Sequence, residues 1–365
     1  MGNNQVGFLN NSVQFEGKGE TIARYQPDKD TIQVLKFPNR KKMEKESGHS
    51  VNIVPNDTKD NKHNKITVKE IPSECLSIDS NNYNSSLVPN ALNSLGYELH
   101  QQIGYGGFST VYMASNRRLP GVQFACKVFA LDSLNKQWTN KFLRNEMRIM
   151  TKLRHRNIIS AFDVFKMRSK AYIFMIYAKN GSMDAYISKH GGRANEDQCR
   201  KWMHGLMSGL RYLHFHSVAH RDLKLENFLL DESLEAMISD FGFAVYTEKA
   251  ENDAVMCKTL CGTTLYLSPE VRMQDNVHGY DAKKSDIYSM GICFYEMLHG
   301  FRPFEGEYDI TSKELITRQM NQDYRFSKSL HLSASCRNLI NKMLDPKPQS
   351  RPCAKVVLNH QWFDK

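Results

Sequence analysis

His220-Arg221-Asp222-Leu223-Lys224-Leu225-Glu226-Asn227, followed by Asp240-Phe241-Gly242, is the stretch that decides how this chain is read. Asp222 is a carboxylate that can orient a hydroxyl and accept its proton. Lys224, two residues on, can lie against an anionic group. Asn227 and Asp240 offer oxygens to a hard divalent cation such as magnesium. One such triplet arises readily by chance. Both strings, in this order and with partners elsewhere in the chain, do not.

Upstream stands Ile103-Gly104-Tyr105-Gly106-Gly107-Phe108-Ser109-Thr110-Val111. Its glycines let a backbone approach phosphate oxygens, and its apolar flanks suit two paired strands. Alone, the same string reads equally as a tight turn. Val122 to Phe129 reads as a buried strand with one charge in it, Lys127. An unpaired buried lysine costs several kcal/mol, so a partner is expected.

With these strings in place the chain resembles the eukaryotic protein kinase family, from about Tyr97 to Phe363. The resemblance implies an α+β, two-lobed fold over 96–365. A small β-rich lobe would span 96–178 and a larger helical lobe 179–365, with ATP and Mg²⁺ between them. It implies transfer of the γ-phosphoryl of ATP to Ser or Thr hydroxyls of protein substrates. Asp222 would be the proton acceptor, Lys224 would lie against the γ-phosphate, and Asn227 and Asp240 would hold the metal. Lys127 would face the α- and β-phosphates and pair with a Glu on the next helix. That helix is expected over 138–153, with Phe142, Leu143, Met147, Ile149 and Met150 wrapping much of it. Glu146 lies inside that apolar stretch and is the preferred partner. The bland alternative is a surface ion pair worth about 0–1 kcal/mol.

The resemblance also assigns residues 103–111 to the phosphates, with Ser109 standing where the third glycine of the family pattern falls. Val111 and Ala125 would close over the adenine, and Met175 would back it. Backbone groups of Ile176 and Ala178 would bond its edge. Ile176 replaces a Glu common in relatives, but the contact there is made by backbone.

Downstream, Ser268-Pro269-Glu270 closes an activation segment, with Thr259 at the usual phosphosite and Arg221 a candidate partner for its phosphate. An upstream activating kinase is therefore an expected partner. Thr263, with Lys224, points to serine and threonine acceptors. Glu270 and Arg351 would form a buried pair, and Asp286 would brace the catalytic loop. Leu223-Lys224-Leu225-Glu226-Asn227, Ser239-Asp240-Phe241-Gly242-Phe243 and Tyr266-Leu267-Ser268-Pro269-Glu270 look most like the calmodulin-dependent kinase group. Within it they are similar to testis-specific serine/threonine kinases. Glu226 and Glu296 match positions that attract an Arg near the acceptor, so substrates with basic motifs are expected. The alternative from another class is a pseudokinase scaffold, which binds nucleotide or partners without transfer. Such a chain usually lacks one of Lys127, Asp222, Asn227 and Asp240, and all four are here.

Met203, Leu206, Met207, Leu210 and Leu213 follow helical spacing and read as core. His204, His214 and His216 fall in no metal-ligand pattern, and Cys257 and Cys261 lack a second pair, so zinc is not expected. The 365 residues carry a formal net charge of +10. The first 95 hold 12 Lys and Arg against 11 Asp and Glu, so the surplus lies in the remainder. It is diffuse, with no basic run interleaved with aromatics, and no nucleic-acid partner is expected. No apolar stretch reaches the roughly 18–20 residues of a membrane span. Scattered cysteines without a secretory leader fit the cytoplasm, with the nucleus as a second compartment.

Residues 1–95 are rich in Asn, Lys, Ser and Asp and cannot bury enough apolar area to offset chain entropy. A disordered extension is expected there. Thr31–Phe37 and Ile66–Ile71 alternate like short strands within it and read as docking segments or, more simply, as marginal loop. The chain closes on a last helical turn at His360–Phe363, without a C-terminal autoinhibitory helix.

Overall fold

The computed structural model describes residues 20–26, 31–37, 90–106, 109–133, 143–166, 169–247, 256–274, 278–305 and 311–364. It separates into two units, Met1–Thr139 with Ala161–Ile176, and Asn140–Ser160 with Tyr177–Lys365. The chain passes into the second unit after Ile176, two residues before the lobe boundary expected at Ala178. Residues 140–160 group with the second unit.

The first unit begins with β1 (Glu20–Gln26) and β2 (Thr31–Phe37), an antiparallel pair registered from Glu20 against Phe37 to Gln26 against Thr31. Thr31–Phe37 is thus a strand, as its alternation suggests, and Glu20–Gln26 is its partner. Ile66–Ile71 lies outside the described residues. A short helix, α1 (Asn90–Ser94), leads into β3 (Tyr97–Gly106). β4 (Ser109–Asn116), β5 (Gln123–Ala130), β6 (Ala161–Lys166) and β7 (Lys170–Ile176) complete a five-stranded antiparallel sheet in the order β3-β4-β5-β7-β6.

The register of β5 sorts its side chains. Phe124 and Cys126 pack with Leu92, Tyr97, Ala114, Tyr172 and Phe174 in one buried cluster. Alternation sends Ala125 and Lys127 to the opposite face. Ala125 pairs with Met113 and Met175, and Lys127 with Val111 and Ile173. One face of this sheet therefore carries Val111, Ala125, Lys127 and Met175 together. Ile176 pairs with Phe124, so its side chain belongs to the other face and is exposed.

The second unit holds α2 (Arg144–Lys152), α3 (Met183–Lys189) and the long α4 (Glu196–Phe215). Leu143, Met147, Ile149 and Met150 are buried as expected, while 134–142, with Phe142, lie outside the described residues. Asn195 caps α4 by accepting from Gln198 N at 2.8 Å. Met203, Leu206, Met207, Leu210 and Leu213 form the buried stripe their spacing predicts. Four short strands follow: β8 (Val218–Ala219), β9 (Phe228–Leu230), β10 (Ala236–Ile238) and β11 (Val245–Tyr246). β9 pairs with β10, and β11 returns to pair with β8. These two pairings pin both ends of loop 220–227 and of the turn bearing Asp240.

After α5 (Pro269–Arg272) comes α6 (Ala282–His299), buried on nearly every side. Asp281 caps its start and Gly300, at φ 79°, ends it. Gly291 lets Leu344 approach, since a Cβ there would lie 2.9 Å from Leu344 Cδ2. α7 (Ser312–Met320), α8 (Ala334–Met343) and α9 (Ala354–Leu358) complete the unit, and Trp362 of the closing turn is fully buried. Among the described residues no helix is long and apolar enough to cross a membrane.

Candidate active site

Loop 220–227 is held from beneath by one carboxylate. Asp286, buried at the start of α6, accepts from His220 N and Arg221 N, each at 2.8 Å, and lies 2.9 Å from His214 Nε2. Arg221 sits in the left-handed region at φ 66°, which costs a non-glycine residue on the order of 1–3 kcal/mol. The bonds to Asp286 hold it there. His220 Nε2 meets Ser239 O at 2.9 Å, and its ring packs edge-on against buried Phe241. The loop and the Asp240 turn are therefore one assembly. Asp240 itself is exposed, at φ 61°. His214 thus acts structurally, through Asp286.

On this base stands a closed network. Asp222 Oδ1 accepts from Thr263 N and Thr263 Oγ1, both at 2.8 Å. Lys224 Nζ donates to Thr263 Oγ1 at 2.7 Å and lies 3.2 Å from Asp222 Oδ2. Asn227 Nδ2 donates to Asp222 O at 2.8 Å and to Oδ2 at 3.1 Å. Asp222, Lys224, Asn227 and Thr263 are thus brought together, and Thr263 locks the carboxylate's rotamer.

The donor set suits magnesium. Committing Nδ2 of Asn227 to Asp222 leaves Oδ1 as the atom for a cation, and Asp240 supplies a second, charged oxygen. Magnesium takes few protein ligands and completes its octahedron with water and phosphate oxygens. No cluster of three His, Cys, Asp or Glu suited to a metal occurs among the described residues.

Glu146 is buried on α2, and a Cβ on Gly242 would lie 3.8 Å from its Oε2 and 3.4 Å from Asp240 Oδ1. Its expected partner Lys127 belongs to the first unit, with Nζ 5.3 Å from the centroid of the Phe129 ring. In that unit Gly104 faces Val111 and Gly106 faces Ser109 across the hairpin. A Cβ at either would meet its nearest neighbour at 3.5 Å, an ordinary contact. Among the described residues, nothing crowds these two positions. Ile103 and Tyr105 are exposed, and Thr110 pairs with Val128 of β5. Gly107 and Phe108 lie outside the described residues.

The activation segment is held close at four points. Gly262, at φ 104°, passes so close to the catalytic loop that a Cβ would lie 2.5 Å from Arg221 O. Arg351 grips Glu270 through both terminal nitrogens, at 2.6 and 2.7 Å, as expected of that pair. Tyr280 Oη donates to Thr259 O at 3.2 Å, a tie that sequence reading missed. Arg221 Nε donates to Phe243 O at 2.7 Å. Also missed was the setting of Glu296. It accepts from Tyr266 Oη at 2.6 Å and from Arg302 Nη1 at 3.1 Å, and burial pushes its carboxyl up to about 7. Arg302 lies six residues on, past the helix end, and Tyr266 thirty residues back, so no single helix or strand spacing announces the contact.

Residues 97–363 match the model of the protein kinase domain, and the chain belongs to that family. Similar proteins include CBL-interacting protein kinase 26 of Oryza sativa subsp. japonica, 35% identical over 269 residues, covering 74% of this chain and 52% of that protein. CBL-interacting serine/threonine-protein kinase 14 of Arabidopsis thaliana is 35% identical over 267 residues, covering 73% and 58% respectively. The chain spans about half the length of the curated relatives it matches.

Proposed function

We propose that this chain is a protein serine/threonine kinase that uses ATP and Mg²⁺. The observation that carries the reading is the grip on Asp222. A carboxylate held by Thr263, Lys224 and Asn227 has one oxygen, Oδ2, aimed beside an ammonium. There it can take the proton of a serine or threonine hydroxyl while Lys224 offsets charge on the transferring group. Asn227 and Asp240 would hold the metal, which when bound neutralises phosphate charge. Lys127 would anchor the α- and β-phosphates and pair with Glu146. Residues 103–111 would cover the phosphates. Val111, Ala125, Met175 and the backbone of Ile176 and Ala178 would receive the adenine. Catalysis is then positioning and charge neutralisation, with no covalent enzyme intermediate.

Labelled ATP with a generic protein substrate tests this. Asp222→Asn is expected to lower transfer by roughly 10²–10⁴-fold. Equal labelling by wild type and variant would remove Asp222 from the chemistry.

Thr259 we assign as an activating phosphosite for an upstream kinase, with Arg221 as its guanidinium partner. Thr259→Ala is expected to lower the specific activity of protein isolated from its host cell. Unchanged activity, with Thr259 phosphate present on the wild type by mass spectrometry, would end that assignment. The three strings around Asn227, Asp240 and Glu270 support placement in the calmodulin-dependent kinase group. The narrower likeness to testis-specific kinases rests on those strings alone. The relatives' names speak of CBL proteins, but the match lies in the kinase domain, and we assign no such partner to this chain. We place it in the cytoplasm and nucleus, which imaging of a tagged chain would test. Signal confined to an organelle other than the nucleus would refute that.

A further inference from the structure

Beside Asp222 lies a group of carboxylates that the transfer reaction does not use. Glu226 in the catalytic loop and Asp184 at the start of α3 both lie near enough to Glu296 on α6 to act on its charge. Glu296, Glu226 and Asp222 all act on the charge of the buried Cys293 thiol. Glu226 and Asp184 are exposed, and Glu296 is buried. Tyr266, which shares its anchoring Oη with Glu296, comes three residues after Thr263. On the kinase reading, a substrate hydroxyl at Asp222 brings its neighbouring side chains to Glu226, four residues on in the same loop.

Glu296 already has an arginine. Arg302 enters just after α6, where Gly300 turns the chain back by adopting φ 79°. Its Nη1 donates to Glu296 Oε1 at 3.1 Å, and its Nη2 donates to Glu305 Oε1 at 2.5 Å. Its guanidinium carbon lies 5.7 Å from the centre of the Tyr266 ring. Two carboxylates and an aromatic face are what a guanidinium seeks in a protein partner. The side chain is 24% exposed, so it can be displaced from the solvent side.

We propose that Arg302 is a built-in occupant of the Glu296 subsite and thereby a determinant of substrate specificity. While it is seated, a basic residue in the substrate gains little from Glu296 and reads only the exposed Glu226 and Asp184. With Arg302 removed, Glu296 becomes available, and a substrate arginine takes its place. This rests on the kinase reading above, and it departs from the simple expectation that Glu296 recruits substrate arginine directly.

The test is a peptide series carrying Arg or Ala at each position near one acceptor serine, with kcat/KM measured for each. The readout is the Arg-to-Ala ratio at each position, which a general loss of stability does not move. In Arg302→Ser the ratio is expected to rise about tenfold at one position, the scale of one charge-assisted contact. Adding Glu296→Gln to that variant is expected to cancel the rise. Glu305→Gln, which loosens the second anchor of Arg302, is expected to raise the same ratio by a smaller factor and serves if Arg302→Ser does not fold. Unchanged ratios in the folded variants, with transfer intact, would overturn the role of Arg302 alone. Failure of the wild type to label any peptide would overturn the kinase reading, and this inference with it.

Discussion

Glu296 shows how one buried acid couples site and stability. Burial raises its carboxyl from an ordinary value of 4.5 to about 7; Tyr266 and Arg302 oppose the rise, while Glu226 and Asp184 add to it. The folded chain therefore holds this proton more tightly than the unfolded chain does. The stabilising effect is complete below about 4.5 and is lost as pH climbs through 7. Glu296→Gln has no such proton. The stability of wild type relative to this variant should thus fall by up to about 3 kcal/mol between those pH values. Urea midpoints across the range check it, and a constant difference would contradict it. In the sequence Glu296 was legible only as a match to a position that attracts substrate arginine; Arg302 follows six residues on, past the helix end, and Tyr266 lies thirty residues back, and no spacing rule joins the three. Asp222, Lys224 and Asn227 were legible because their spacing within one short loop carries their chemistry. His214 was not, because its tie to Asp286 spans two helices.

At the scale of elements, the close pass between the activation segment and the catalytic loop is the joint on which the site turns. Gly262 makes it possible twice over, by its left-handed φ and by lacking the Cβ that would strike Arg221 O. Gly262→Ala should displace Thr263 from Asp222, adding strain on the order of 1–3 kcal/mol and lowering kcat/KM roughly tenfold or more. Steady-state kinetics beside a thermal melt would check it, and wild-type kcat/KM would refute it. The amphipathic α4 was readable because its apolar residues recur at helical spacing and its cap precedes them. The hairpin of β1 and β2 was readable by half. Thr31–Phe37 alternates, but its partner Glu20–Gln26 carries charge at both extremes of polarity, Glu20 and Arg24, and no apolar pattern that marks a strand. Helix α2 and the Glu270–Arg351 pair followed from the family resemblance more than from local propensity.

At the scale of the whole molecule, the proposed site residues fall in both units. The sheet of the first carries Val111, Ala125, Lys127 and Met175 on a single face, a grouping that the alternation of each strand predicts once the strand order is known. The second unit carries Asp222, Lys224, Asn227 and Asp240 on loops pinned by paired short strands. The match to the protein kinase domain spans 97–363 and both units. The most direct measurement of the proposed activity uses one peptide in four versions, with Ser, Thr, Tyr or Ala at the acceptor. Wild type and Asp222→Asn are given labelled ATP and magnesium in parallel. The account predicts label on the Ser and Thr peptides alone and its loss in the variant. Label on no acceptor, or equal label with Asp222 replaced, would contradict it.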